Sequence, residues 1–466
     1  MWYFNVYKLQ RDDIMKILVI GCGKIGTTLI DSLIIEGHDI VAIDSNADVL
    51  QGVTNIYDVM SVCGNGCDCD TLSEAGAENA DLVISVTDSD ELNLLSCFLA
   101  RRMGAKHTVA RVRNTEYNDK NISFMRHQLE VSMIINPDKL AAQELYNLLK
   151  LPSAVKVETF STGRLEMVEL VLKPESVLCE MKLMDIRKKY PFKFLVCAVE
   201  RDGEVYIPSG DFKLQSGDKI GIVASQSEII RLFKTVESIQ RQAHDVMILG
   251  ASRTAFYLSE KLISTGSEVK IIERDRERCE KFSEFLPEAV IIQGDGAQQE
   301  LLTEEGISSM SAFVSLTGMD EENILISYFA TSQNVPKVVT KINRDEFFPL
   351  ARKMGLESII SPKKTVSDVL VRYARSLQNA MGSKIETLYN IMDAKAEAIE
   401  FIVPDDCKFV GVPLKELKLK PNTLVAGIIR GRKPIIPSGD DVIEVNDRVI
   451  IFSSGRKLND LSEIVK

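Results

Sequence analysis

The sequence predicts an α/β protein made of two tandem parallel-sheet domains, each followed by a small α+β lobe. Three observations predict it. Short β-branched runs alternate with stretches of helical periodicity, the order that lays helices on a parallel sheet. Landmarks recur at an offset of about 229 residues: Gly21 with Gly250, Asp44 with Glu273, Gly64 with Gly294, Asn93 with Asn323, and Pro208-Ser209-Gly210-Asp211 with Pro437-Ser438-Gly439-Asp440. Each alternating stretch gives way to a β-rich segment, 155–223 and 385–452, the first broken by turn signals at Asp202-Gly203, Ser209-Gly210 and Ser216-Gly217.

In copy one the apolar run Lys16 to Ile20 reads as a buried parallel strand, and helical spacing runs from about Ile25 to Glu36. Strands follow at Asp39 to Ile43 and Leu82 to Val86, then a helix from Glu91 to Met103 and a strand from Thr108 to Val112. Copy two repeats the order: strand Asp245 to Leu249, a helix to about Ser264, strands Glu268 to Ile272 and Ala312 to Leu316, a helix after Glu322, and strand Lys337 to Ile342. Helical segments near Pro137 to Leu149 and Pro362 to Leu377 cross from each sheet to its lobe. The expected boundaries are a parallel-sheet domain at 15–135, a crossover helix at 136–152, a lobe at 153–238, the second sheet domain at 244–361, its crossover at 362–382 and its lobe at 383–466. Residues 1–14 read as an extension or tag, because Met15 opens a clean strand.

Composition excludes several classes. The 466 residues are 45% apolar and 26% charged, ordinary for a folded chain, and the net charge of −11 is spread along the sequence. A chain that acidic, without a basic stripe, is not expected to bind nucleic acid. Apolar runs stop after about five residues, far short of the roughly 18 that a membrane span needs. Nine cysteines without secretory features read as reduced thiols in a cytoplasm. Cys63, Cys67 and Cys69 form the one cysteine cluster, but it lacks the second ligand pair of a structural zinc site, so no metal is expected.

Gly21-x-Gly23-x-x-Gly26 follows a strand and opens a helix, and Asp44 ends the next strand, 18 residues after Gly26. In that setting the glycines permit the tight turn, the approach of a pyrophosphate and close helix packing, while the carboxylate accepts from ribose hydroxyls. Both sheet domains are therefore read as Rossmann-like, with NAD favoured over NADP at the first. Copy two keeps only the first glycine in Gly250-Ala251-Ser252-Arg253-Thr254-Ala255 and carries Glu273 for the aspartate, which leaves open whether it binds a nucleotide. Thr87 and Asp88 sit in the loop after the strand Leu82 to Val86, at the crevice end of the sheet, where Ser89 or Asp90 would also cap the following helix. Arg111 ends the next strand as a candidate phosphate cation, with Lys341 as its poorer counterpart. No catalytic set accompanies this apparatus. Ser132, Tyr146 and Lys150 imitate a short-chain dehydrogenase set without that family's glycine spacing, and none of the four histidines belongs to a ligand-spaced pair.

The succession Gly21 to Gly26, Asp44, Gly64-Asn65-Gly66, Val86 to Asn93, Ala110-Arg111-Val112 and Ile207 to Asp211 resembles the RCK (KTN) domain followed by its TrkA-C lobe. Two such units in tandem resemble the TrkA family, the peripheral NAD-binding subunits of Trk potassium-uptake systems. The resemblance implies two Rossmann-like domains with TrkA-C-like lobes, and no enzyme. It further implies a regulator on the cytoplasmic face of the membrane, assembled as a homo-oligomeric, tetrameric ring on a membrane-embedded potassium channel subunit of the TrkH/TrkG kind. NAD(H), or ATP and ADP, are the implied ligands. Residues Gly21, Cys22, Gly23, Lys24, Ile25, Gly26, Asp44, Thr87, Asp88 and Arg111 are implied at the first nucleotide site. Gly250, Ala251, Ser252, Arg253, Thr254, Glu273 and Thr317 are implied at the second. Asn65 replaces the aspartate usual in the family, which Asp295 retains in copy two. An NAD-dependent oxidoreductase and a nucleotide sensor for another transporter are the alternatives.

Overall fold

The computed structural model describes residues 14–115, 117, 119–160, 163–236, 243–380, 385–392, 395–455, 458 and 460–466. The expected extension at 1–14 therefore lies, but for Ile14, outside the described residues, as do the linker at 237–242 and residues 381–384.

In copy one, strands β1 (Lys16–Ile20), β2 (Asp39–Asp44), β3 (Met60–Cys63), β4 (Leu82–Ser85), β5 (His107–Arg111) and β6 (Met133–Ile135) form one sheet in the order β3-β2-β1-β4-β5-β6. Every pairing in it is parallel. Strand order reverses between β2 and β4 on either side of β1, the place where doubly wound sheets open a ligand crevice. Helices α1 (Lys24–Ile35) and α4 (Asp90–Met103) lead away from that crevice. Copy two repeats the arrangement with β12 (Asp245–Leu249), β13 (Glu268–Glu273), β14 (Val290–Gln293), β15 (Ala312–Ser315), β16 (Lys337–Lys341) and β17 (Ser358–Ile360), in the order β14-β13-β12-β15-β16-β17. The central strands are apolar on both faces, as a sheet covered on both sides requires. Strands β3, β6, β14 and β17 were not foreseen: β3 and β14 are four residues long and largely exposed, and β6 and β17 are only three residues long, so none shows a buried run.

The β-rich segments form two five-stranded antiparallel sheets of the same topology: β7 (Lys156–Phe160), β8 (Leu165–Val171), β9 (Phe194–Arg201), β10 (Glu204–Tyr206) and β11 (Lys219–Ala224) in the order β10-β9-β11-β8-β7, and β18 (Ile385–Ile391), β19 (Ala396–Ile402), β20 (Thr423–Arg430), β21 (Lys433–Ile435) and β22 (Arg448–Ser454) in the order β18-β19-β22-β20-β21. The first lobe adds helices Leu183–Lys189 and Gln226–Val236. The second has only short 3₁₀ turns at Leu414–Glu416 and Leu461–Ile464 among its described residues. Alternating Leu417-Lys418-Leu419-Lys420 before Pro421 opposes a helix there. The two lobes share one core, in which Phe160, Met167 and Cys197 pack with Tyr389, Met392 and Phe452. The Phe160 and Tyr389 rings meet edge to face at 4.6 Å.

Contacts divide the chain into one unit of 1–141 with 361–374, and another of 142–360 with 375–466, so two of the three divisions fall inside crossover helices and the third just ahead of one. Within the first unit, Ser367 of the helix Pro362–Ala380 donates to Ser32 of α1 at 2.9 Å. Within the second, Gln143 and Tyr146 of the helix Pro137–Lys150 meet Lys261, and Ala243 N–H donates to the Leu149 carbonyl. Each crossover helix thus lies against the sheet domain of the other copy.

A buried cation also sits in the second unit. Lys337 Nζ donates to the Ala154 carbonyl and to Ser358 Oγ, and burial pushes its ammonium down to about 7, with Glu357 opposing and Lys173 adding to the shift. A base whose folded-state value lies below its unfolded value destabilises the fold when protonated, so stability should rise as pH climbs from about 7 towards 10. Lys337→Met is expected to raise the melting temperature relative to the unmodified protein most at pH 6, and progressively less above pH 7. A difference independent of pH in thermal unfolding would disprove this.

Candidate nucleotide site

The three glycines of copy one have three separate physical roles. Gly21 takes φ +93°, and a Cβ there would lie 2.8 Å from the Thr87 amide nitrogen, so the turn needs glycine twice over. A Cβ on Gly26 would lie 1.9 Å from the Gly21 carbonyl oxygen, so glycine there lets α1 close on the turn. Gly23 meets nothing within 4 Å and has an ordinary extended backbone at φ −68°. No protein atom demands glycine at that position; the space in front of it suits an approaching ligand. Gly23 is also the N-cap of α1 and supplies no side-chain acceptor, so the first-turn N–H groups and the positive end of the helix dipole are left for an anion.

The carboxylate of Asp44, at the end of β2, holds the glycine turn. Its oxygens accept from Cys22 N–H at 2.7 Å and Asn46 N–H at 2.9 Å, each keeping a lone pair for a ribose hydroxyl. Burial, with Asp44 close by, pushes the Cys22 thiol up to about 12, which keeps it neutral beside the phosphate path. Lys24 is exposed and Ile25 half-buried on the first turn of α1.

Opposite the turn lies the loop after β4, pinned by a residue whose role sequence reasoning missed. Asn93 is fully buried, and its Oδ1 accepts from Thr87 N–H, Thr87 Oγ1 and Ser85 Oγ at 2.7–2.9 Å. Its Nδ2 donates to the carbonyls of Thr87 and Arg111 at 3.1 and 3.0 Å. One amide therefore ties the end of β4 to the end of β5. Ser89 caps α4 by accepting from Leu92 N–H, whereas Asp90 accepts from the N–H groups of Arg113 and Asn114. Asp90 therefore joins the strands instead of capping. The recurrence of Asn323 in copy two, doing the same for Thr317 and Lys341, was the available signal.

Arg111 does not stand open in the crevice as a phosphate clamp would. Arg111 is 4% exposed, and its guanidinium donates to the Thr87 carbonyl and reaches Asp88 Oδ1 at 3.3 Å; burial is the main cause of its lowered proton affinity. The side chain of Asp88 is fully exposed at the rim. Asn65 Oδ1 accepts from Cys67 N–H and Asp295 Oδ1 from Ala297 N–H, so the Asn–Asp difference preserves one turn in both copies.

Copy two keeps the scaffold and closes the cradle. Gly250 has φ +94°, and Glu273 accepts from Ala251 N–H and Asp275 N–H as Asp44 does in copy one. At the position of Gly23, however, Ser252 Oγ accepts from Ala255 N–H and caps the helix Arg253–Ser264 from within. Arg253 is exposed, Thr254 is buried, and Thr317 Oγ1 is bonded to Asn323. A cavity of about 720 Å³ lies beside Arg274, Asp295, Gln299, Met319 and Tyr328, and none of Gly250, Ser252, Glu273 and Thr317 lines it. The residues of copy one thus fit a dinucleotide or nucleoside phosphate, whereas in copy two Ser252 already takes a helix N–H that a pyrophosphate would use.

The dehydrogenase-like residues have structural partners instead. Ser132 Oγ accepts from Thr108 N–H, and the Tyr146 ring carries Lys261 above it at 5.0 Å.

The TrkA-N domain profile matches residues 17–137 and 246–362, and the TrkA-C domain profile matches 167–237 and 398–466. The chain belongs to the TrkA family. It is 31% identical to Trk system potassium uptake protein TrkA homolog 1 of Methanosarcina mazei, over 97% of this chain and all of that protein. It is 32% identical to a TrkA homolog of Archaeoglobus fulgidus over the same shares, and 31% identical to TrkA of Vibrio alginolyticus over 95% and 96%. Among solved structures, the GsuK RCK domain superposes with a TM-score of 0.63 at 16% identity, covering 98% of this chain and 96% of that one. The GsuK channel bound to NAD also gives 0.63 at 16% identity, covering 96% and 78%. These two likenesses concern the fold. No helix among the described residues is long and apolar enough to cross a membrane.

Proposed function

We propose that this protein is a nucleotide-binding gating subunit of a Trk-type potassium uptake system, acting without catalysis on a membrane-embedded channel subunit. The observation that carries the reading is the open Gly23 position at the uncapped start of α1, facing the Asp44 carboxylate in a chain related to TrkA along nearly its whole length. NAD(H) or an adenine nucleotide suits that cradle: phosphate on the helix N-terminus, ribose on Asp44. Asn93 and Arg111 hold the opposing loop in place, and a nucleotide bound between turn and loop would close the crevice. A ligand shifts a conformational equilibrium only by its differential affinity for the states, so gating requires this closure to differ between conducting and resting assemblies. The family resemblance further supports a homo-oligomeric ring on the cytoplasmic face of the membrane.

The test is potassium flux into vesicles holding the channel subunit and this protein, with and without NADH, NAD or ATP. Nucleotide should change the flux, and Gly23→Asp should remove that response while the subunit still binds the channel. A nucleotide response that survives Gly23→Asp overturns the reading, as does NADH oxidised in step with transport.

A further inference from the structure

The end of the second sheet remote from the nucleotide crevice carries a cluster that the nucleotide function does not use. Asp245 opens β12 and Glu268 opens β13, and the parallel register sets them side by side. His244 precedes Asp245, and its Nδ1 lies 3.2 Å from Asp245 Oδ1. One ligand atom from each of the three lies within 4.8 Å of the other two. Their backbones are held: Glu268 N–H donates to the His244 carbonyl and Asp245 N–H to Ser311 Oγ. The imidazole and the Asp245 carboxylate are 61% and 44% exposed, so an ion and its water can reach them.

Copy one shows what a sheet ordinarily places here. At the same two register positions stand Lys16 and Asp39, an opposite-charge pair, with Met15 in the place of His244. Copy two exchanges the lysine for a second carboxylate. Like charges side by side on adjacent strands destabilise a sheet. Among the described residues, no lysine or arginine forms an ion pair with either acid. The duplicated scaffold has thus exchanged a neutral pair for two acids and an imidazole, which is a ligand set in search of a cation.

We propose that His244, Asp245 and Glu268 form a binding site for a divalent transition-metal ion. One imidazole nitrogen and two carboxylate oxygens bind it, and water completes its shell. A mixed nitrogen and oxygen set suits zinc, cobalt or manganese, whereas calcium and magnesium favour oxygen alone. The site lies across the sheet from Gly250, so it needs no nucleotide to form.

Cobalt(II) is the probe, titrated by calorimetry into the tag-free full-length chain in which Cys63, Cys67 and Cys69 are serine, removing the loop thiols as rival ligands. One saturable ion per chain is expected, weakened at least about tenfold by each of His244→Ala, Asp245→Asn and Glu268→Gln. The last two relieve the charge crowding, so without metal they should melt no lower than the parent, while the rise in melting temperature with cobalt disappears. Absence of saturable binding in the parent, or binding that survives all three substitutions, overturns the proposal.

Discussion

Replacing Gly23 by aspartate is expected to abolish nucleotide binding at the first crevice and leave the fold intact. The backbone there is extended, as any residue can adopt, and an added Cβ meets no atom within 4 Å. Aspartate is a favoured N-cap and differs from glycine there by only a few tenths of a kcal/mol, so the variant should be as stable as the parent or slightly better. The same carboxylate would take the N–H groups that a phosphate needs and set a like charge beside it. Against a phosphate a few ångströms away, that repulsion reaches about 4 kcal/mol near a protein surface, so an affinity loss of at least about a hundredfold is expected by calorimetry. Gly26→Val is the contrasting control, since its Cβ would fall 1.9 Å from the Gly21 carbonyl oxygen and cost about 3 kcal/mol of stability. If Gly23→Asp instead unfolds the protein, or binds NADH as the parent does, the reading of this glycine as ligand space is wrong.

Asn93→Ala should be the most destabilising single change at the site. The amide makes five hydrogen bonds in a fully buried position, and its removal strands the Thr87 N–H and the Arg111 carbonyl, while the Thr87 carbonyl keeps only the Arg111 guanidinium. Each unsatisfied buried group costs about 1–3 kcal/mol, so a loss of about 3 kcal/mol or more is expected. In a unit of this size that lowers the melting temperature by about 6–12 °C. Because Thr87 and Arg111 lose their anchor together, nucleotide affinity should fall even well below the new melting temperature. A variant with unchanged thermal unfolding would show that water takes over the amide's bonds.

Much of this fold was legible along the chain. The central strands of both sheets were visible as apolar runs because a strand buried on both faces needs apolar residues at every position. Edge strands such as β3 were not, because one exposed face and four residues leave no run to see. At the site, the glycine spacing and the acid at the end of β2 pointed to the crevice, yet the motif presents its three glycines as equivalents. Only the surrounding atoms separate the one that turns, the one that packs and the one that leaves room. The Asp-Glu-x-Asn run looked like a helix cap, and its aspartate and asparagine instead bond to strand ends about twenty residues away.

The sequence by itself determined the duplication, the parallel-sheet halves with their β-rich lobes and the loss of two glycines in copy two, because periodicity and turn chemistry are local properties of a chain. Tertiary structure decided the rest. It laid each crossover helix on the other copy's sheet domain, turned Arg111 into the Thr87 loop, closed the second cradle with Ser252, and brought Glu268 beside His244 and Asp245. Those outcomes depend on which strand pairs with which and on what fills the space between elements, and such contacts join residues that lie far apart along the chain.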